Sequence, residues 1–270
     1  MANLDNDIKY VMDLLEGKIS NTFDFIYSRS NENLIELFNR INLEGKDVYT
    51  VLSSSDFLLS AVYQGAKKVD CFDIMPITYR YFHLRRWLAQ YGLEDANGLS
   101  KTTLLQIVNS TELNIKSENE KDSIIFWQYL LNKIYNMHFY SSDLFEYIEN
   151  VLCPFSDMRE INKKLNIIDE PVFDNIDICE EIKYDDKRKY DVVYLSNIID
   201  YNREKLKIEK LILNVLKLLK DKGSIICAHM SQFENFEIEQ EMFSKYFNYD
   251  EIYFEDNLVQ EITYYRYKKK

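Results

Sequence analysis

Two short stretches carry residue types suited to holding a small ligand: Ser53-Ser54-Ser55-Asp56 and, 20 residues after Ser53, Asp73 followed by Ile74. Small hydroxyl side chains let a ligand approach the backbone, and a helix opening behind them presents N–H donors. An acid about 20 residues beyond such a loop, at the end of the next strand, is placed to grip the ribose of an adenosine-type cofactor, because two carboxylate oxygens match two vicinal hydroxyls. The alternative for the loop is a helix N-cap cluster, which Ser and Asp also favour. For Asp73 the alternative is a solvated strand end.

Two further segments belong with these. Asp177-Ile178 follows a third strand-like run, where the carboxylate could accept from an exocyclic amine and the isoleucine cover an adenine ring; otherwise this acidic stretch is a solvated face. Ser196-Asn197-Ile-Ile-Asp200-Tyr201 follows the fourth run and offers polar groups for an acceptor, with Asn197 suited to orienting and Asp200 and Tyr201 the candidates for moving a proton. The alternative there is a loop with another N-cap. Tyr201-x-x-x-Lys205 has the spacing of a dehydrogenase pair, a cheap match among 21 tyrosines. Of three histidines, His229 falls at a strand end, while His83 sits inside a helix and packs or faces solvent. The cysteines stand far apart with no C-x-x-C, so no metal site is expected.

These residues need elements to hold them in place. Ile8, Val11, Met12 and Leu15 recur at helical spacing, and Asn31 is a plausible cap for a helix through Leu34, Leu37 and Phe38. From residue 47 the rhythm turns to β-α-β-α: strands at 47–52 and 68–74, a helix ending near Gly65, and a long helix from Pro76 to Tyr91. Residues 95–170 break the alternation and read as a mainly helical insertion, with helices around Trp127 and around Leu144, Tyr147, Ile148 and Val151. Strands resume at 172–178, 191–195 and 224–229, a helix covers 236–247, and runs at 251–254 and 259–267 are spaced as a hairpin. The pattern implies a Rossmann-like α/β fold, with a seven-stranded mostly parallel sheet and a C-terminal antiparallel hairpin. The expected domains are a helical extension over 1–45 and a ligand-binding domain over 46–270 carrying the insertion at about 95–170.

Composition narrows the partners. The chain has 270 residues, a net charge of −12 and only six glycines. A P-loop and a regular G-x-G-x-x-G are both absent. The negative charge argues against a nucleic-acid backbone as partner. An acidic start, no long apolar run and scattered cysteines point to a cytoplasmic protein with a small-molecule substrate.

In this order, Val48-Tyr-Thr-Val-Leu-Ser-Ser-Ser-Asp56, Gly65-Ala-Lys-Lys-Val-Asp-Cys-Phe-Asp-Ile74, Tyr190-Asp-Val-Val-Tyr-Leu-Ser-Asn197 and Leu218-Leu-Lys-Asp-Lys-Gly-Ser-Ile-Ile226 resemble the class I S-adenosylmethionine-dependent methyltransferases over roughly two-thirds of the chain. More narrowly, they are similar to methyltransferase-like proteins akin to the group containing aminocarboxypropyl transferases. The resemblance implies S-adenosylmethionine as cofactor, held by Ser53, Ser54, Ser55, Asp56, Asp73, Ile74, Asp177, Ile178 and Ser196. It also implies that the segment before the first strand, with Glu32 and Asn33, lies against the cofactor, and that the insertion forms a lid or substrate platform. The usual first motif has two or three glycines, and none stands between Gly45 and Gly65 here. A non-catalytic scaffold with the same fold is therefore the alternative function, alongside aminocarboxypropyl transfer; a nicotinamide-dependent oxidoreductase rests on Tyr201 and Lys205 alone.

Overall fold

The structure is a computed structural model and describes residues 3–16, 18, 26–27, 32–93, 96, 99–110, 115–135, 145–146, 158–180, 187–202, 204–230, 236–256 and 261–270. In chain order the elements are α1 (Leu4–Leu15), β1 (Ile26–Tyr27), α2 (Leu34–Arg40), β2 (Asp47–Val51), α3 (Asp56–Tyr63), β3 (Lys68–Asp73), α4 (Ile77–Gln90), α5 (Lys101–Val108) and α6 (Glu118–Tyr135). They continue with β4 (Phe145–Glu146), α7 (Met158–Leu165), β5 (Phe173–Asn175), β6 (Tyr190–Ser196), α8 (Ile198–Tyr201), α9 (Lys205–Leu218), β7 (Leu219–Met230), α10 (Phe236–Ser244), β8 (Phe247–Asp256) and β9 (Glu261–Lys269). Seven strands form one sheet in the order β5-β3-β2-β6-β7-β9-β8, all parallel except β9, which runs against both neighbours. This is the expected Rossmann-like sheet with its antiparallel hairpin. Strand order reverses between β2 and β6, so a crevice opens at their carboxyl ends, where open α/β sheets bind ligands.

The central strands are buried on both faces, as a parallel sheet under crossover helices requires. Along β2, Val48 points into a core with Leu34, Leu58 and Ile161, from α2, α3 and α7, while Tyr49 points into a second core with Ile199, Leu211 and Phe243, from α8, α9 and α10. The period-two pleat alone sends neighbouring residues to opposite cores.

Helix α4 is buried on every side, because it is shared between two layers. Tyr79 and Phe82 join the sheet-side core, and Tyr81, Leu84 and Trp87 join a third core with Val11, Leu104 and Trp127 from α1, α5 and α6. Three arginines on this helix each meet an acid from a different element: Arg80 with Asp7 at 2.7 Å, Arg85 with Asp56 at 2.8 Å and Arg86 with Glu120 at 2.6 Å. Buried charges persist only when paired in this way. His83 packs inside, as one of its two expected positions; burial, with Arg86 and Arg80 beside it, holds its pKa well below the usual histidine range. The described helices of the insertion, α5, α6 and α7, all lie against α4, and α7 also packs into the sheet-side core through Ile161 and Leu165.

Several local expectations are revised. Strand β7 starts at Leu219 instead of residue 224: Tyr190 pairs with Leu219 and Val192 with Ser224, so residues 220–223 bulge from the ladder. Gly223 permits this, since a Cβ there would stand 3.1 Å from the carbonyl oxygens of Lys220 and Tyr190. Phe145–Glu146 pairs in parallel with Ile26–Tyr27 and is not helical. A backbone partner in a distant segment overrides the local helical spacing. Leu144, Tyr147, Ile148, Val151, Asn31 and Cys153 lie outside the described residues. The final hairpin is longer than the sequence runs suggest, and α10 stops at Ser244.

Candidate functional site

The serine loop joins β2 to α3 through two residues in the left-handed region, Ser53 at φ 43° and Ser55 at φ 68°. Non-glycine residues adopt that conformation at about 1–2 kcal/mol each, so something must hold them there. The holder is Arg85 of α4, which is fully buried and donates from Nη1 to the Ser54 carbonyl at 2.7 Å and to Asp56 Oδ1 at 2.8 Å. Ser54 Oγ donates to Asp56 Oδ2 at 3.0 Å, and Ser55 Oγ donates to the Ser54 carbonyl. The side chains of Ser54, Ser55 and Asp56 therefore face inward, and all three residues are buried. The N-cap alternative is not realised at Ser55, which precedes α3 but makes no side-chain cap bond.

Asp73 closes β3 and ties this loop from the other side. Its Oδ2 accepts the Ser53 N–H at 2.8 Å and its Oδ1 the Met75 N–H at 2.9 Å. Burial, opposed by these bonds, raises the carboxyl to about 6. Ile74, directly after it, is 50% exposed at the strand end, an uncommon position for an isoleucine beside a buried acid. Ile178, expected to cover a ring, is 2% exposed and packs in the second core. Burial takes Ile178 out of reach of a ring: β5 ends at Asn175 and the chain turns back against α9, where Asn214 donates to the Ile178 carbonyl at 2.8 Å. Asp177 Oδ1 accepts from the Cys179 N–H at 2.8 Å, closing that turn.

On the other side of the reversal, β6 ends at Ser196, the third left-handed non-glycine residue, at φ 50°. Its Oγ donates to Glu32 Oε1 at 2.6 Å, and the Tyr194 hydroxyl donates to Glu32 Oε2. Burial and the Glu32 charge push the Tyr194 hydroxyl well above the usual range, so it stays a donor. Phe57 of α3 stacks on the Tyr194 ring at 3.6 Å. Glu32 thus brings the segment before α2 to the end of β6, whereas its neighbour Asn33 is used as the α2 cap, accepting from the Glu36 N–H at 3.2 Å. Asn197 opens α8; Asp200 within it is buried and Tyr201 at its end is 44% exposed. His229, near the end of β7, meets Asp200 with Nδ1 3.0 Å from Oδ1.

The structure therefore ties Ser53 to Asp73 at the ends of β2 and β3 and Glu32 to Ser196 at the end of β6, on the two sides of the strand-order reversal. Asn197 opens the short helix that follows β6, and Asp200 and Tyr201 lie within it. Sequence reasoning missed Arg85 and Tyr194. The available signal for the first was three arginines inside an otherwise apolar helix, a pattern that demands buried partners.

No protein-family model matches the chain, and no curated protein matches it. Solved structures similar to it in fold include the N-methyltransferase NodS from Bradyrhizobium japonicum WM9 in complex with S-adenosylhomocysteine, at 8% identity over 98% of each chain with a TM-score of 0.44. A methyltransferase from Pyrococcus furiosus matches at 7% identity over the whole of both chains with a TM-score of 0.45. The magnesium protoporphyrin IX methyltransferase ChlM from Synechocystis PCC 6803, with S-adenosylmethionine bound, matches at 10% identity over 99% of this chain and 79% of that one, with a TM-score of 0.40. These are likenesses of overall fold alone. The methyltransferase-like fold is established by this chain's own strand order, with the antiparallel β9 seated between β7 and β8.

Proposed function

We propose that this chain is an S-adenosylmethionine-dependent transferase, and specifically a methyltransferase acting on a small molecule. The observation that carries the reading is the placement of the three left-handed serines, Ser53, Ser55 and Ser196, at the carboxyl ends of the two strands between which strand order reverses. Strained backbone of this kind collects at ligand sites. It gives a serine loop the close backbone approach that glycines would otherwise supply.

The donor set fits the cofactor. Asp73 suits the ribose hydroxyls, exposed Ile74 suits one face of the adenine, and Glu32 suits the cationic methionine end. S-adenosylmethionine has no phosphate, so a chain without a glycine-rich phosphate cradle can hold it. When bound, the cofactor supplies an already activated sulfonium methyl. The chain's own task is to align an acceptor and receive its proton. We assign Asn197 and Tyr201 to orienting the acceptor and Asp200 to the proton-handling side. The net charge of −12 favours a small acceptor over a nucleic-acid backbone. Residues 1–45 and about 95–170 are read as an extension and an insertion on the binding domain.

Isothermal titration with S-adenosylmethionine and S-adenosylhomocysteine tests this. Saturable heat at micromolar ligand, lost in Asp73→Ala, is the expected result; no heat at millimolar ligand overturns the reading.

A further inference from the structure

Asp200 and His229 stand on adjacent elements at the carboxyl ends of two central strands. Asp200 lies in α8 directly after β6, and His229 is next to last in β7. Ser196 is paired with Cys227, so His229 is two residues beyond the partner of the strained serine. It projects to the same face as Cys227, the face covered by α8 and α9. The two side chains meet at 3.0 Å, Asp200 4% and His229 7% exposed, with Tyr265 edge-on to the imidazole at 5.6 Å between ring centres.

A carboxylate can only accept, so the proton of the neutral imidazole sits on Nδ1 and the lone pair on Nε2. That orientation prepares a histidine to take a proton, since the carboxylate also balances the imidazolium that results. His83 shows the contrasting case. It lies fully buried mid-helix with two arginines close by and its pKa pushed down.

We infer that His229, held by Asp200, is the general base of the transfer, and that the acceptor therefore bears a hydroxyl or amine proton that must leave as it is methylated. The inference rests on the transferase reading above and revises the part of Asp200 within it: Asp200 is a positioning residue. In the step, a lone pair on the acceptor oxygen or nitrogen bonds to the sulfonium methyl carbon. The carbon–sulfur bond breaks and its electron pair stays on sulfur, giving the neutral thioether. The acceptor's proton passes to His229 Nε2 and later leaves to water. A thioether or a tertiary amine acceptor would have no use for this base.

The test separates the inference from the reading beneath it. Calorimetry with S-adenosylhomocysteine comes first; if no binding is seen, the transferase reading fails and the inference with it. If it binds, nitrogen-15 NMR of the full chain labelled at its three histidines, assigned with His229→Asn, reads the tautomer. His229→Asn keeps a donor toward Asp200 and so preserves the fold. The expected result is the Nδ1–H form, resonances that move on adding S-adenosylhomocysteine, and an apparent pKa that falls by about one unit in Asp200→Asn. An Nε2–H tautomer, or a His229 signal indifferent to bound S-adenosylhomocysteine, overturns the inference whatever the acceptor. With methyl-labelled S-adenosylmethionine and a set of phenol, alcohol and amine acceptors, His229→Asn lowers transfer about 10²-fold or more while S-adenosylhomocysteine affinity is kept. Transfer at the unsubstituted rate in that variant overturns it equally.

Discussion

Asp73 accepts the backbone N–H of Ser53 at 2.8 Å, and this single bond locks the end of β3 to the left-handed start of the serine loop after β2. The acid suited to a ribose is thus also the residue that holds the loop against which the ribose would lie. Loss of Asp73 should act twice, on ligand contact and on loop order.

The pH dependence of binding separates those effects. The ionised carboxylate accepts two hydroxyls best, and its pKa is raised to about 6. S-adenosylhomocysteine affinity should be full above about pH 6 and decline below it, by up to tenfold per unit. The stability term has the opposite sign. A carboxyl raised from 3.8 holds its proton more tightly folded than unfolded, so its contribution is complete below 3.8 and is lost as pH rises through about 6. Calorimetry and urea melts of Asp73→Asn should show both trends flattened.

Ser53 tests the strain. Glycine relieves a left-handed position worth about 1–2 kcal/mol and gives back about 0.5–1 through chain entropy, so Ser53→Gly should melt at or slightly above the parent. Ser53→Val, β-branched, should be destabilised by at least about 1–2 kcal/mol, a fall of a few degrees at this chain length. Equal melting temperatures for the two variants would show that position 53 carries no strain.

Arg85→Met leaves the Asp56 carboxylate buried without its guanidinium, and unfolding in urea should report a loss of about 3–5 kcal/mol. Adding Asp56→Asn should recover part of that loss, because the uncompensated charge is gone. Strict additivity in this double-mutant cycle would contradict the pairing.

Glu32→Ala strands the buried Tyr194 hydroxyl, at about 1–3 kcal/mol, and should lower the melting temperature. Glu32→Gln keeps one acceptor oxygen and turns its NH2 toward the other hydroxyl, which can rotate to accept. It should be less destabilised than Glu32→Ala, yet bind S-adenosylmethionine at least about fivefold more weakly if the carboxylate faces the cationic methionine end. Unchanged affinity in Glu32→Gln would confine Glu32 to a structural part.

What the sequence determined by itself was the set of elements and their order. Hydrophobic period marks β2, α3, β3, α4, β6 and α9 to within a few residues, because burial of a parallel sheet and its crossover helices writes itself into local spacing. The 20-residue offset from Ser53 to Asp73 was equally visible, since it spans one β-α-β unit. Only the tertiary structure decided which side chains turn outward. Ser54, Ser55 and Asp56 look like ligand contacts in sequence, yet Arg85 from another helix draws them in. Ile178 looks like a ring cover until a turn against α9 buries it, while Ile74 is left exposed. The meeting of Glu32 with Ser196, and of Asp200 with His229, follows from strand order across the sheet, and long-range pairing leaves no periodic trace in the residues that take part in it.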